Sequence, residues 1–174
     1  GDSNPFTETV YEPSPLNRVK EQFGAGYLWK TANKRVTIDY DTNIANEVKY
    51  FYVNANNQLE NGGYYTTNTL YKTTTKDEDG KETIEYKDKL GQVILKQDFD
   101  GVNKIQTYFV YNDLGQLSYV IPPKAVDELT SDLSDNNSVL KQYCYLYKYD
   151  DRGNCIYKRL PGCEPIYMAY DKAD

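Results

Sequence analysis

The chain has 174 residues, 20 Lys and Arg against 26 Asp and Glu, a net charge of -6 and no histidine. Without a run of basic residues it lacks the clustered positive face that nucleic acid or an anionic membrane requires, and without histidine it has neither a Ser-His or Cys-His nucleophile pair nor the commonest transition-metal ligand. Nineteen tyrosines against five phenylalanines and one tryptophan, at a mean hydropathy of -0.79, describe a thin amphipathic β structure and not a thick aliphatic core.

Residues 1–30 read as an extended leader. Pro5, Pro13 and Pro15, with "FGAG" at 23–26 and Leu28-Trp29, predict a segment that lies against a sheet and covers an edge or face. The opening "GDSNPFTETVYEPSP" has neither the basic start nor the apolar run of a signal peptide, and no stretch approaches the length of a membrane-spanning helix.

Residues 31–121 predict β-hairpins, with strands at 34–41, 48–53, 69–76, 81–87, 93–99 and 104–111 separated by Asp-Gly, Asn-Gly-Gly or Asn-rich turns. One turn motif recurs in "EYKDKLGQVILK" (85–96), "VYNDLGQLSYV" (110–120) and "KYDDRGNCIYK" (148–158): an aromatic residue, an Asp, a polar turn ending in Gly91, Gly115 or Gly153, then an alternating strand. The Asp accepts backbone hydrogen bonds within the turn and the Gly takes a positive φ. Asp88, Asp113 and Asp150 are assigned the first role. "VNANNQLE" (53–60) is a degenerate copy with Asn57 in the glycine place.

From Gly91 to Gly115 is 24 residues and from Gly115 to Gly153 is 38, and residues 122–141 account for the insertion. Pro122-Pro123 ends a strand, Val126, Leu129 and Leu133 fall at helical spacing near 124–133, and "SDNNS" reads as a loop. Residues 142–174 form a last hairpin. A turn centred on Asp151-Arg152 sets Cys144 opposite Arg159 and Cys155 opposite Lys148, so Cys144 and Cys155 do not bridge and Cys144, Cys155 and Cys163 read as free thiols. The chain stops at "AYDKAD" as another strand begins, and the exposed edge there is expected to promote dimers. The predicted fold is all-β: an antiparallel meander of repeated, twisted hairpins with one short helix and an extended N-terminal segment.

At its Tyr-Asp turns the sequence resembles the YD-repeat proteins of the rearrangement hotspot (RHS) family. The resemblance lies in "YNDLGQLSYVIPP" (111–123) and "YKYDDRGNCIYKRLPGCEPIYMAYDKAD" (147–174), with "GYYTTNTLYKTTTKDEDGKETIEYKDKLGQVILK" (63–96) between. The leader "PFTETVYEPSPLNRVKEQFGAGYLW" (5–29) is similar to the start of an uncharacterised domain that precedes the repeats in large bacterial members. This resemblance implies a bacterial surface or secreted protein, often labelled wall-associated, whose repeats wind into a β shell around a C-terminal effector or toxin. The partners it implies are the downstream repeats and C-terminal region of the same longer chain.

Tyr143, Tyr145, Tyr147 and Tyr149 alternate along one strand and are first of all packing residues; as a surface they are the candidate platform for cell-surface glycans. "KDEDGKE" (76–82) and "DFDG" (98–101) lack the later oxygens of a calcium loop and read as turns, as does "NGG" at 61–63. Asp39, Asp41, Glu82 and Glu85 could be nominated as a hydrolytic carboxylate pair but read as solvated strand faces. No catalytic, metal or cofactor residue is assigned.

Overall fold

In "ETIEYK", "VILKQDFD" and "NKIQTYFVY", bulky or β-branched residues recur at alternate positions, giving each segment one face to bury. The computed structural model, which describes residues 3–129 and 132–171, folds them into the centre of an antiparallel sheet. In chain order the elements are β1 (Glu8–Tyr11), β2 (Val19–Phe23), α1 (Tyr27–Thr31), β3 (Arg35–Thr42), β4 (Lys49–Val53), β5 (Leu59–Tyr64), β6 (Tyr71–Lys76), β7 (Glu82–Lys87), β8 (Val93–Asp100), β9 (Asn103–Tyr111), β10 (Leu117–Ile121), α2 (Pro123–Glu128), α3 (Ser138–Tyr143), β11 (Tyr145–Tyr149), β12 (Cys155–Arg159) and β13 (Ile166–Tyr167). Eleven strands pair in the order β1-β2-β3-β6-β7-β8-β9-β10-β11-β12-β13, while β4 and β5 form a separate hairpin.

The core occupies one face of the sheet. Register aligns Tyr86, Leu95, Tyr108 and Ile121 in one buried row across β7 to β10. The β4–β5 hairpin covers this row, with Phe51 edge-on to Tyr108 at 5.2 Å, and α2 packs beside it against β9 and α3. Tyrosine suits a layer this thin because its ring is buried while its hydroxyl reaches a polar partner at the margin. Tyr86 donates to Glu47 at 2.7 Å, and Tyr119 donates to Asp135 at 2.9 Å.

Asn43 holds the place where the chain leaves the sheet and returns. It is fully buried; its Nδ2 donates to the Thr66 carbonyl at 2.9 Å, and its Oδ1 accepts from the amides of Thr69 and Leu70 at 3.0 and 2.8 Å. Nothing in the local pattern around Asn43 marks this role, which exists only once the two segments meet.

Several expectations are corrected. The leader covers an edge of the sheet and not a face, and it does so as a hairpin and not as one extended segment: β1 and β2 pair with each other and β2 pairs onto β3. Pro13 and Pro15 sit in the connecting loop, outside the ladder, where Arg18 grips Glu12 through two hydrogen bonds of 2.9 Å. Three short helices occur among the described residues, not one. The helix expected near 124–133 stops at Glu128, where Leu129 turns to an extended conformation, and Asn137 starts α3 by accepting from the amides of Val139 and Leu140. "NGG" is not a turn: Asn61, Gly62 and Gly63 lie within β5, at an irregularity opposite β4. The last hairpin is shifted by two residues from the expected register, with Leu146 opposite Arg159 and a bulge that brings Cys155 opposite Tyr149. Cys144, Cys155 and Cys163 are free, and burial pushes the Cys144 thiol up to about 12.

A ladder of turns as the candidate functional site

Five hairpin turns share one construction. An Asp or Asn side chain accepts from the amides two and four residues later, and the residue three places on takes a positive φ. The pairs are Asn54 with Asn57, Asp77 with Gly80, Asp88 with Gly91, Asn112 with Gly115, and Asp150 with Gly153. In each, the first residue's amide also donates to the carbonyl four residues on, which closes a three-residue loop with a bulge. The middle unit corrects an assignment: its accepting oxygen belongs to Asn112, at 3.1 Å from the Leu114 amide and 2.9 Å from that of Gln116. Asp113 sits one position inside the turn and caps nothing.

The turns at Asp88, Asn112 and Asp150 lie at the same end of the sheet, since each joins alternate strands of the meander. Two side chains tie each to its neighbour. Gln92 Nε2 donates to the Gly115 carbonyl at 2.9 Å, and in the next interval Gln116 Nε2 donates to the Gly153 carbonyl at 3.4 Å. In the opposite direction, Tyr111 donates to the Val93 carbonyl at 3.2 Å and Tyr149 to that of Leu117 at 2.8 Å. Val93 and Leu117 hold the same place, two residues after their turn glycines. Cys155 holds it in the third turn, and Tyr170 donates to its carbonyl at 3.1 Å. Tyr111 and Tyr149 are thus latches onto the preceding hairpin, and Tyr170 makes the equivalent bond onto the β11–β12 hairpin.

This answers what the tyrosine series is made of. Tyr145, Tyr147 and Tyr149 share the face of β11 opposite Leu146 and the core, whereas Tyr143 belongs to α3. All four are half-buried; burial raises the pKa of Tyr147 and Tyr149, and the Tyr149 hydroxyl is spent in the latch. A more open aromatic surface lies on β4, which sequence reasoning passed over. Tyr50 and Tyr52 stack at 5.4 Å and 23°, and Tyr65 meets Tyr50 edge-on at 4.9 Å. Gly62 makes room for the Tyr50 ring, since a Cβ there would stand 2.6 Å from it. These rings, with Tyr111, Asp88 and Asp113, line a cleft of about 280 Å³.

Three of the four nominated carboxylates are engaged in surface ion pairs, Asp39 with Lys20, Glu82 with Lys76 and Glu85 with Lys87, and Asp41 accepts from the Thr42 amide. Among the described residues, no three His, Cys, Asp or Glu side chains gather as a metal site. Asp77 caps the β6–β7 turn, and "DFDG" closes β8 onto β9.

Sheet and turns together define an antiparallel β protein built from hairpin units that share one Asx-turn geometry. Residues 1–42 match a family described as a domain of unknown function (DUF6443), a stretch that covers the edge hairpin, α1 and β3. No curated protein matches the chain.

Proposed function

We propose that the chain is a non-catalytic structural module of a large bacterial surface or secreted protein of the RHS/YD-repeat kind, building part of a β wall around a C-terminal effector. The observation that carries this reading is the reciprocal latch: each unit presents carbonyls and an amide side chain to the next, so units add in one register and direction. The partners are further hairpin units and the C-terminal region of the same polypeptide. The short outer strand β13, which pairs Tyr167 with Tyr157 and Ile166 with Lys158, offers the edge on which a unit or a second copy adds. Limited proteolysis of the full natural polypeptide tests the reading. The C-terminal segment survives when residues 1–174 are present and is cut when they are deleted; equal cleavage in both overturns it.

A second reading, an adhesive module for cell-surface glycans, is favoured by the stacked and partly open Tyr50 and Tyr52 above their cleft, with Asp113 free to accept hydroxyl hydrogen bonds. A glycan screen gives binding that Tyr52→Ala abolishes without loss of folding; no binding across the screen removes this reading.

A further inference from the structure

On the core face, a second cross-strand row runs Val110, Tyr119, Leu146 and then Arg159. An arginine thus stands where the row calls for an apolar side chain. It is only 5% exposed; Nη1 donates to the Asp135 carbonyl at 3.3 Å, while Nε and Nη2 are enclosed and have no acceptor. A guanidinium does not shed its proton, so burial leaves a full charge to be compensated. Asp135 is already engaged, accepting from the Tyr119 hydroxyl at 2.9 Å and pairing with Lys148 at 2.9 Å. Among the described residues no carboxylate stands within ion-pair distance of Arg159.

Arg159 lines a cavity of about 570 Å³ between α3, the Asp135 loop and the segment from Gly162 to Pro165. Lys141 lines it too, with its ammonium donating to the neutral Asn136 side chain at 3.2 Å. Ser138, Gln142 and Tyr157 add hydrogen-bonding groups to the wall. Arg159 and Lys141 thus line one cavity together with Asp135 and Glu164, and among the described residues neither cation is in an ion pair.

We propose that this cavity binds a carboxylate, with Arg159 as anchor and Lys141 at the mouth. A carboxylate suits better than a phosphate on two grounds. A carboxylate's single negative charge is tolerated beside Asp135 and Glu164, which also line the wall, and its compact, planar head needs less room beside the half-enclosed guanidinium than a tetrahedral phosphate does. The volume accepts a small organic acid or the side chain of a glutamate or aspartate from a polypeptide. The inference rests on Arg159 and its cavity alone and stands apart from the structural-module reading.

The test is an NMR titration of the purified chain with sodium acetate, sodium succinate and a blocked single-residue glutamate, each against sodium chloride at equal ionic strength. The expected result is saturable shifts confined to Arg159, Lys141, Tyr157 and the backbone from Gly162 to Glu164, absent with chloride. Lys141→Gln weakens binding about two- to fivefold, the worth of a partly exposed charge, and Glu164→Gln strengthens it. Arg159→Gln abolishes it; should that variant lose its dispersed spectrum, Lys141→Gln and Glu164→Gln carry the test. Tighter binding of the blocked glutamate assigns a polypeptide source, and tighter binding of succinate assigns a free acid. Shifts that do not saturate, that chloride reproduces, or that Lys141→Gln leaves unchanged overturn the proposal.

Discussion

Gly115 shows what a turn position demands. Its φ of +76° lies in the left-handed region, and an added Cβ would stand 3.0 Å from Gln92 Nε2, so the residue is fixed both by backbone and by latch. Gly115→Ala therefore costs about 1–2 kcal/mol, read as a lowered Tm or denaturant midpoint. At the neighbouring pair the account separates two residues that look alike in sequence. Asn112→Ala removes an acceptor from two turn amides and costs about 1–2 kcal/mol, whereas Asp113→Ala changes stability by no more than about 0.5 kcal/mol. The distinction was legible after all: in every one of the five turns the accepting Asx precedes the positive-φ residue by three positions, and Asn112, not Asp113, stands three before Gly115. Alignment on the Tyr-Asp pair hid it. Asn43 was not legible, because its three partners come from residues more than twenty positions away. Asn43→Ala strands buried backbone groups and costs about 2–3 kcal/mol by denaturant titration.

Elements were easier to read than their arrangement. Alternation and turn chemistry are local, so the strands from β6 to β10 fall close to where the pattern put them. The departure of β4 and β5 from the sheet is not local: it follows from burying Val48, Phe51 and Leu59 over the row from Tyr86 to Ile121, a surface that exists only when β7 to β10 have paired. The leader's place at an edge was legible from its prolines, but its folding into a hairpin was not, because the loop that keeps Pro13 and Pro15 outside the ladder is closed by the Glu12–Arg18 pair. At this scale the latches are the testable unit. Tyr111→Phe and Tyr149→Phe each keep the ring and lose one hydrogen bond to a neighbouring hairpin, a cost of about 1 kcal/mol. Calorimetry of the two single variants and the double variant measures it.

For the whole molecule, charge and pH act through the few acids that touch the core. Glu47 is the chief one. Burial raises its pKa, but hydrogen bonds from Lys72, the Ile44 amide and Tyr86 outweigh it, and the net shift is downward from 4.5. A carboxylate with a lowered folded pKa contributes stability that is complete above its unfolded value of 4.5 and is lost as the pH falls through the lowered folded value. Glu47→Gln therefore flattens the fall in Tm on the acid side of pH 4.5, and an unchanged acid limb contradicts the assignment. The thiols sort by burial in the same molecule: at pH 8 a thiol reagent modifies exposed Cys163 quickly, while Cys144, pushed up to about 12, reacts only on unfolding.

The central claim is that hairpin units are locked to one another at their turns, so the sheet behaves as one scaffold. Native-state hydrogen exchange on the chain and its Tyr149→Phe variant tests it most directly, read at the turn amides of Gln92, Gln116 and Asn154 and along β9 to β12. The account predicts that losing this single hydroxyl lowers protection together in the β9–β10 and β11–β12 hairpins. A loss confined to the β11–β12 hairpin, or none at all, would show the units to be independent and contradict it.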